Sequence, residues 1–265
     1  MTEEFRVEVV DRIATLTIDR PTRRNAIDTA TLMGIRKALA GFGDDVDAVV
    51  ITGAGGQAFS AGGDVKEYAT MTPAERLRNT DLMQDTLDQV EYHPRPVIAA
   101  IEGFAFGGGL ELALATDYRV AGGGAKFRLP EVSLGALPTG GSFVRLHRVV
   151  GIGRARELIL FNRQLTPEQA LDWGLVSEVV PEGTALERAQ EVARLLLASS
   201  ATSTITIAKQ LITFGLDAPA RSARFMEYLA DKSQTASDAF EKGVAAFANE
   251  GKRPVPGVSR SSGTK

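Results

Sequence analysis

Two acidic residues stand in stretches that carry no other charge, and they are the strongest candidates for proton transfer. Glu111 is the only charged residue in 103–115, and no further charge follows Glu131 until Arg145. A carboxyl group in apolar surroundings keeps its proton to higher pH, which suits a general acid or base. We therefore predict that Glu111 and Glu131 form an acid–base pair. An acid in the first turn of a helix can also simply stabilise the helix dipole, and that interpretation of Glu111 stays open.

Other catalytic side chains are scarce. The chain has no cysteine, which excludes thiol catalysis, disulfides and Fe–S centres, and we expect no metal site. Its only histidines, His93 and His147, have no carboxylate at helical spacing, so we interpret both as packing or surface residues. Ser142 lies in Gly-Gly-Ser-Phe-Val, which does not match the G-x-S-x-G motif of serine hydrolases.

Two glycine-rich segments could supply backbone hydrogen-bond donors. Gly107-Gly108-Gly109 begins the apolar run that contains Glu111, and Ser60-Ala61-Gly62-Gly63-Asp64 lies in the glycine-rich stretch after a predicted strand. Each glycine inside a helix costs about 1 kcal/mol relative to alanine, so three in succession indicate that the backbone approaches something closely. Free N–H groups at a helix start suit an anion or a developing oxyanion. Tight packing of a helix on a strand would explain the glycines equally well.

One motif is misleading. Residues 53–58 (GAGGQA) follow a predicted strand and fit the loose dinucleotide-binding pattern G-x-G-x-x-A. In that pattern a helix begins at once and its N-terminus holds the pyrophosphate. Residues 59–64 instead continue as loop by sequence, so we do not expect a dinucleotide-binding domain.

Three arginines lie within five residues, at Arg20, Arg23 and Arg24. The ordinary explanation is a solvated loop. In an acidic protein, such a cluster is also suited to bind phosphate groups. The sequence leaves both interpretations open.

The elements that must position these residues alternate between strands and helices, which indicates an α/β fold with crossover connections. Residues 5–10 and 12–18 predict a hairpin. Further strands are predicted over 48–52, 96–101, 117–121, 126–129 and 176–180. Helices are predicted from Asp28 or Thr29 to about 42, over 73–91, after 107–109, from the capped start at Thr166, and over 182–197, 204–214, 220–232 and 237–249.

Size and charge exclude several classes of protein. The 265 residues, of which 44% are hydrophobic and 24% charged, predict one or two globular domains. Acidic residues outnumber basic ones by 33 to 30, which argues against general affinity for nucleic acid. The longest uncharged stretch, 48–63, is too short and too rich in glycine to span a bilayer. We expect a cytoplasmic protein that binds neither nucleic acid nor membranes.

Taken together, the segments resemble the crotonase superfamily, the enoyl-CoA hydratase/isomerase family. The resemblance runs from about residue 5 to residue 254. It rests on six segments in the family's order: 18–28 (IDRPTRRNAID), 58–67 (AFSAGGDVKE), 95–121 (RPVIAAIEGFAFGGGLELALATDYRVA), 127–146 (FRLPEVSLGALPTGGSFVRL), 165–181 (LTPEQALDWGLVSEVVP) and 238–254 (DAFEKGVAAFANEGKRP).

The resemblance implies a fold and a substrate class. The fold would be a crotonase-like spiral of ββα turns over 1–197, followed by a C-terminal helical trimerisation region over 198–265. Trimers of such chains often pair into hexamers. The substrate would be an acyl-CoA thioester, and no separate cofactor is needed because coenzyme A is part of the substrate.

The resemblance also implies roles for individual residues. The oxyanion-hole donors would be the N–H groups of Gly63 and Gly108, and the two catalytic glutamates would be Glu111 and Glu131. The residues that would contact CoA are Arg23, Arg24, Ala26, Ala61, Gly63, Asp64, Val65 and Lys66, with Phe240 and Lys252 from a neighbouring subunit.

Because both glutamates are retained, the expected reaction is addition of water to a trans-2-enoyl-CoA, giving 3-hydroxyacyl-CoA. Another crotonase activity is the alternative: double-bond isomerisation, thioester hydrolysis or C–C bond cleavage. One segment departs from the family pattern, since 138–142 reads PTGGS where P-G-x-G-G is common. This departure leaves the shape of the acyl pocket, and hence the preferred chain length, open.

Overall fold

The chain forms nine strands within residues 4–250, the part that the computed structural model describes. They are β1 (Phe5–Val10), β2 (Ile13–Ile18), β3 (Ala48–Gly53), β4 (Ala58–Ser60), β5 (Val97–Ile101), β6 (Phe104–Phe106), β7 (Tyr118–Gly122), β8 (Lys126–Arg128) and β9 (Glu178–Val180).

Eleven α-helices lie in the same range. They are α1 (Thr29–Gly41), α2 (Val65–Thr70), α3 (Pro73–Glu91), α4 (Gly108–Leu114), α5 (Ser142–Val150), α6 (Ile152–Leu160), α7 (Pro167–Asp172), α8 (Ala185–Ser199), α9 (Thr202–Gly215), α10 (Ala220–Thr235) and α11 (Asp238–Glu250). Short 3-10 helices cover Pro21–Arg23 and Glu131–Leu134.

The strands form two sheets, and from β3 to β8 successive strands alternate between them. The larger sheet has the order β1-β2-β3-β5-β7-β9, and the smaller has the order β4-β6-β8. Only the β1–β2 pair is antiparallel. Three successive turns therefore each place one strand in the large sheet and the next in the small sheet: β3 and β4, β5 and β6, β7 and β8. This arrangement confirms the predicted α/β spiral of ββα turns.

Local signals in the sequence fix the first helices. Asp28 caps α1 by accepting the N–H of Thr31 at 2.8 Å. Thr72 caps α3 in a capping box with Glu75, and Pro73 occupies the first helical position, where its missing N–H costs nothing. The bounds of α3 are those predicted, and α1 runs from Thr29 as expected.

The core lies on both faces of the large sheet. Strands β3 and β5 are buried over almost their whole length, as uninterrupted apolar strands of a parallel sheet should be. At the sheet edge, Asp11 and Arg12 both take left-handed backbone conformations, with φ of 51° and 64°. They form the two-residue hairpin turn, so β2 begins at Ile13 rather than at the predicted residue 12.

The strands of the small sheet β4 and β6 were not among the predicted elements. Each has only three residues, too few to show an alternating pattern. The expectation that 59–64 is all loop is therefore wrong, since Ala58–Ser60 is strand β4. The rejection of a dinucleotide-binding motif still holds because the next helix, α2, begins only at Val65.

The chain divides into two compact units after Glu191, within α8. The second unit contains α9, α10 and α11, and several of their large apolar side chains are exposed, among them Phe225, Tyr228 and Phe240. Within 4–250 no single helix is long and apolar enough to cross a membrane, although the bent pair α8 and α9 meets that length and composition test when counted together.

A buried arginine ties the first loop to the rest of the first unit. The Arg20 side chain is only 6% exposed, and its guanidinium contacts Asp64 at 2.9 Å, Asp28 at 3.0 Å and Glu4 at 3.1 Å. It also donates to the carbonyl oxygen of Ala26 at 2.5 Å. Arg20 therefore stabilises the first unit. Its charge is neutralised by carboxylates of the protein, so it is not available to bind a phosphate.

We expect Arg20→Met to lower the free energy of unfolding by about 3–5 kcal/mol, because it removes the buried guanidinium that pairs with Asp64 and Asp28. Chemical denaturation measures this loss. Arg6→Met is the matched control, since the Arg6–Asp19 pair is 56% exposed on the arginine side and should contribute less than about 1 kcal/mol. Equal, small losses in both variants would contradict the structural role of Arg20.

Candidate active site

Three loops meet at the carboxyl edge of the small sheet. The parallel register pairs Ala58 with Phe104 and Phe104 with Lys126, so β4, β6 and β8 end side by side. The chain leaves β4 toward Gly62-Gly63, leaves β6 toward Gly107-Gly108, and leaves β8 toward Glu131. The carboxyl edge of parallel strands is where open α/β sheets bind ligands. The fold thus brings together residues that are widely separated in sequence.

The first two of these loops touch through backbone atoms. Gly62 has φ of +97° and Gly107 has φ of +51°, conformations that favour glycine. A Cβ added to Gly62 would lie 2.8 Å from the carbonyl oxygen of Phe106 and 3.2 Å from the nitrogen of Gly108. A Cβ added to Gly108 would lie 3.5 Å from the nitrogen of Gly63. Gly62 therefore allows a close approach of the two loops that a side chain at this position would block.

This contact places two backbone N–H groups next to each other. Gly108 is the first residue of α4, so its N–H has no acceptor within the helix. The bridge to Ile27 uses the carbonyl of Gly62 and the N–H of Asp64, and it does not involve the N–H of Gly63. Two adjacent N–H groups that are used neither by helix α4 nor by the bridge to Ile27 are suited to stabilise an oxyanion.

Glu111 lies in the first turn of α4 and is buried. Its Oε1 accepts the backbone N–H of Ser142 at 3.2 Å. A Cβ added to Gly140 would come within 2.6 Å of its Oε2. Burial raises the pKa of Glu111, while hydrogen bonds from Ser142 and Gly140 and the charge of Arg145 act in the opposite direction.

Glu131 begins the 3-10 helix that follows β8. Its Oε2 is buried and accepts no hydrogen bond from any residue in 4–250. Burial, together with the smaller effect of the nearby charge of Glu111, raises the pKa of Glu131 to about 7. A Cβ added to Gly107 would collide with Oε1 of Glu131, so the carboxyl lies directly beside the Gly107-Gly108 backbone.

The structure thus brings together four of the predicted site residues: Gly63, Gly108, Glu111 and Glu131. Two are hydrogen-bond donors and two are carboxyl groups whose proton affinity is raised. Such a set can polarise a carbonyl group and transfer protons at the atoms next to it. A carboxyl with a pKa near 7 is present in both protonation states at neutral pH, which suits an acid–base catalyst.

The predicted CoA-binding segments also meet. Ala61 donates to the carbonyl of Arg24 at 2.9 Å, and the N–H of Ile27 donates to Gly62 at 2.8 Å, so 24–27 runs alongside 61–64. Arg23 and Arg24 are exposed on this surface, as are Val65 and Lys66, while Ala26 is buried. The guanidinium of Arg24 lies 5.6 Å from the ring centre of Phe104.

The side chain of one predicted CoA contact, Asp64, already has partners within the protein. The Asp64 carboxylate accepts from the N–H groups of Lys66 and Glu67 and pairs with Arg20, which lowers the pKa of Asp64 although burial opposes this. Its side chain is therefore committed to the fold. Phe240 lies in the second unit and is 45% exposed, whereas Lys252 lies outside the described residues.

The two histidines make packing and backbone contacts. His93 is buried with its ring edge-on to Phe42, and the exposed His147 faces the carbonyl oxygen of Phe143 in its own helix at 3.1 Å. These positions agree with the interpretation of both as packing or surface residues.

Comparison with known proteins decides the family. A family model described as "Enoyl-CoA hydratase/isomerase" matches residues 8–255. The chain belongs to the enoyl-CoA hydratase/isomerase family. It is 36% identical to a short-chain-enoyl-CoA hydratase of Clostridium acetobutylicum, over 79% of this chain and 81% of that protein. It is 39% identical to the enoyl-CoA isomerase/hydratase fer4 of Mycosarcoma maydis, over 76% of each chain.

Solved structures of the family agree with the fold. The enoyl-CoA hydratase from Bacillus anthracis superposes with a TM-score of 0.90 at 33% identity, covering 94% of this chain and 97% of that one. The resemblance to the crotonase superfamily stated from the six sequence segments is thereby confirmed.

Sequence reasoning missed the residues that surround Glu111 and Glu131. The sequence motif around Ser142 bears only on a role as nucleophile, yet it is the backbone N–H of Ser142 that contacts Glu111. Met83 of α3 would lie 3.1 Å from a Cβ at Gly108. Both contacts join residues far apart along the chain, so no local pattern shows them. The departure at 138–142 was the one signal in the sequence that pointed to this segment.

The two carboxyl groups are expected to titrate as an interacting pair. In ¹³C NMR of glutamate-labelled protein, the Glu131 carboxyl should titrate near pH 7, and Glu131→Gln should remove that signal. Glu111→Gln removes the like charge next to Glu131, so the pKa of Glu131 should fall, yet stay above that of an ordinary glutamate because burial remains. A pKa that does not change in Glu111→Gln would show that the two carboxyls do not interact.

Proposed function

We propose that this protein adds water to trans-2-enoyl-CoA thioesters and forms 3-hydroxyacyl-CoA. The observation that carries the proposal is the presence of both buried carboxyl groups, Glu111 and Glu131, beside the N–H groups of Gly63 and Gly108. The name of the Clostridium acetobutylicum relative supports it.

In this proposal the thioester carbonyl oxygen accepts hydrogen bonds from the N–H groups of Gly63 and Gly108. These bonds draw electron density away from the double bond and stabilise the enolate that forms when a nucleophile adds at Cβ. Losing one such donor costs on the order of 3–4 kcal/mol of transition-state stabilisation in other enzymes.

The two carboxyls supply the proton transfers. Glu111 and Glu131 orient a water molecule between them, and Glu111 accepts its proton as the oxygen bonds to Cβ. Glu131 delivers a proton to Cα, which completes the addition of one water. Exchange with solvent returns both carboxyls to their starting states. The raised pKa of Glu131, about 7, supports this role because the protonated acid is abundant at neutral pH.

Coenzyme A is proposed to lie along the surface where 23–26 and 61–66 run together. Arg23, Arg24 and Lys66 are exposed there and could pair with phosphate groups. Ala26, Ala61, Gly63, Asp64 and Val65 would contribute backbone and apolar contacts. We also propose that Phe240 and Lys252 act from a neighbouring subunit of a trimer or hexamer, that no further cofactor is required, and that the enzyme is cytoplasmic.

The alternative is another reaction of the same thioester enolate, above all double-bond isomerisation, which appears in the name of the Mycosarcoma maydis relative. Incubating the purified protein with a panel of enoyl-CoAs and identifying the products by mass distinguishes the reactions. A gain of one water supports hydration. An unchanged mass with a moved double bond shows isomerisation, and release of free CoA shows hydrolysis. Either result in place of hydration would contradict the proposal.

The role of the Gly108 N–H is tested by Gly108→Val. The new Cβ would lie 3.1 Å from Met83 Cε and 3.5 Å from the nitrogen of Gly63, so the side chain enters the space between the two donors. A displacement of about 1 Å in a catalytic group costs about 100-fold in rate, and we expect a fall in kcat of that size per folded enzyme.

Gly153→Val is the control for this substitution. It places the same side chain in a helix where a Cβ meets no atom within 4 Å. Thermal midpoint and kcat are measured on the same preparations of both variants. A Gly108→Val protein that melts earlier but keeps normal kcat would assign these glycines to packing alone.

A further inference from the structure

We propose that Arg145 is a positioning residue for Glu111: it fixes the segment Gly140-Gly141-Ser142, which in turn holds the Glu111 carboxyl. The inference deepens the proposed function and rests on it for its kinetic consequences. Arg145 does not reach the reacting atoms itself; it acts through the backbone that contacts Glu111.

The guanidinium of Arg145 is buried and makes directed contacts on two sides. Toward the site, Nη1 donates to the carbonyl oxygen of Gly140 at 3.0 Å. Toward α3, Nε donates to Glu91 at 2.8 Å and Nη2 pairs with Asp88. Its side chain is 7% exposed, and the bond to Gly140 forms away from water, where it is strong.

The segment that Arg145 holds is the one that surrounds the Glu111 carboxyl. Ser142 donates its N–H to Oε1 at 3.2 Å, and Gly140 lies against Oε2. Gly141 has φ of +109°, and a Cβ there would overlap the guanidinium of Arg145. The glycine thus makes room for the arginine, and the arginine fixes the peptide groups on either side of it.

Helix α3 anchors the same segment through one face. Gln84 donates to the carbonyl oxygen of Thr139 at 2.8 Å, and Leu87 would lie 3.0 Å from a Cβ at Gly140. Asp88 and Glu91 follow on that face and bind Arg145. Arg145 therefore connects a rigid helix to the loop that sets the position of Glu111.

The charge of Arg145 also acts on Glu111 directly. The charged and titratable groups that face Glu111 are Glu131 from the 3-10 helix, Tyr68 from α2 and Arg145 from α5. Burial raises the pKa of Glu111, and Arg145 is the cation among them that acts against this rise. Removing that cation should therefore make Glu111 hold its proton to still higher pH.

Three variants separate charge from geometry. Arg145→Met removes both the positive charge and the hydrogen bonds. Arg145→Lys keeps the charge but loses the planar guanidinium with its several N–H donors. Glu91→Gln removes one of the two carboxylates that pair with Arg145. Arg119→Met is the matched control, because Arg119 is equally buried but donates to the carbonyl oxygens of Thr116 and Leu175 instead.

The readouts are the ¹³C NMR titration of Glu111, assigned with Glu111→Gln, and the pH profile of kcat for hydration of crotonyl-CoA. Arg145→Met should raise the pKa of Glu111 and move the acidic limb of the kcat profile to higher pH, because ionised Glu111 accepts the proton of water. Its kcat should fall about 10- to 100-fold with a smaller change in KM, the loss typical of outer residues that hold a catalytic group.

The other variants should affect kcat and the pKa of Glu111 differently from Arg145→Met. Arg145→Lys should lower kcat while the pKa of Glu111 stays close to the wild-type value. Glu91→Gln should move that pKa down, and Arg119→Met should lower the thermal midpoint without moving the acidic limb. If Arg145→Met does not fold, Arg145→Lys and Glu91→Gln carry the same test.

An Arg145→Lys variant with wild-type kcat would overturn the positioning role of Arg145. A Glu111 carboxyl that titrates in Arg145→Met or Glu91→Gln as it does in the wild type would overturn the charge effect. So would an Arg119→Met variant whose acidic limb moves as far as that of Arg145→Met. Wild-type protein that hydrates no enoyl-CoA would overturn the proposed function instead, and the NMR titration would still decide the role of Arg145.

Discussion

The close approach of two backbone loops, Gly62-Gly63 and Gly107-Gly108, is the constraint on which the site depends. The N–H groups of Gly63 and Gly108 can face one point only if no side chain stands between the loops, and a Cβ at Gly62 would already lie 2.8 Å from the carbonyl oxygen of Phe106. The small sheet provides this approach because β4 and β6 are adjacent parallel strands that end at the same edge. Its third strand, β8, then delivers Glu131 to the same place.

The raised pKa of Glu131 lowers the stability of the folded chain at neutral pH. The pKa of Glu131 is about 7 in the folded chain against an ordinary value of 4.5. As pH rises above 4.5 the unfolded chain loses this proton first, so stability falls between about pH 4.5 and pH 7. Buried arginines compensate for other carboxylates: Arg20 joins Asp28 and Asp64, and Arg145 joins Asp88 and Glu91. Loss of Arg20 would take this cation away from the buried carboxylate of Asp64.

The sequence predicted which residues meet at this site better than it predicted their surroundings. Glu111 and Glu131 stand out because each is a charge in an apolar stretch. The start of α3 is marked by a capping box that can be recognised in the sequence. The contact of Arg145 with Gly140 and the contact of Ser142 with Glu111 depend on where α5 packs, which no periodicity encodes. The strands β4 and β6 were missed for a related reason, since three residues gain strand character only from their neighbours in the sheet.

The central claim is that a buried carboxyl with raised proton affinity transfers a proton to the substrate, and Glu131→Gln tests it most directly. The variant keeps the size of the side chain but cannot release a proton. We predict a fall in kcat for crotonyl-CoA hydration of at least about 100-fold per folded enzyme. Its thermal midpoint at pH 8 should be no lower than that of the wild type, because a neutral amide replaces a buried, ionised carboxyl. Wild-type turnover by the folded Glu131→Gln protein would contradict the account.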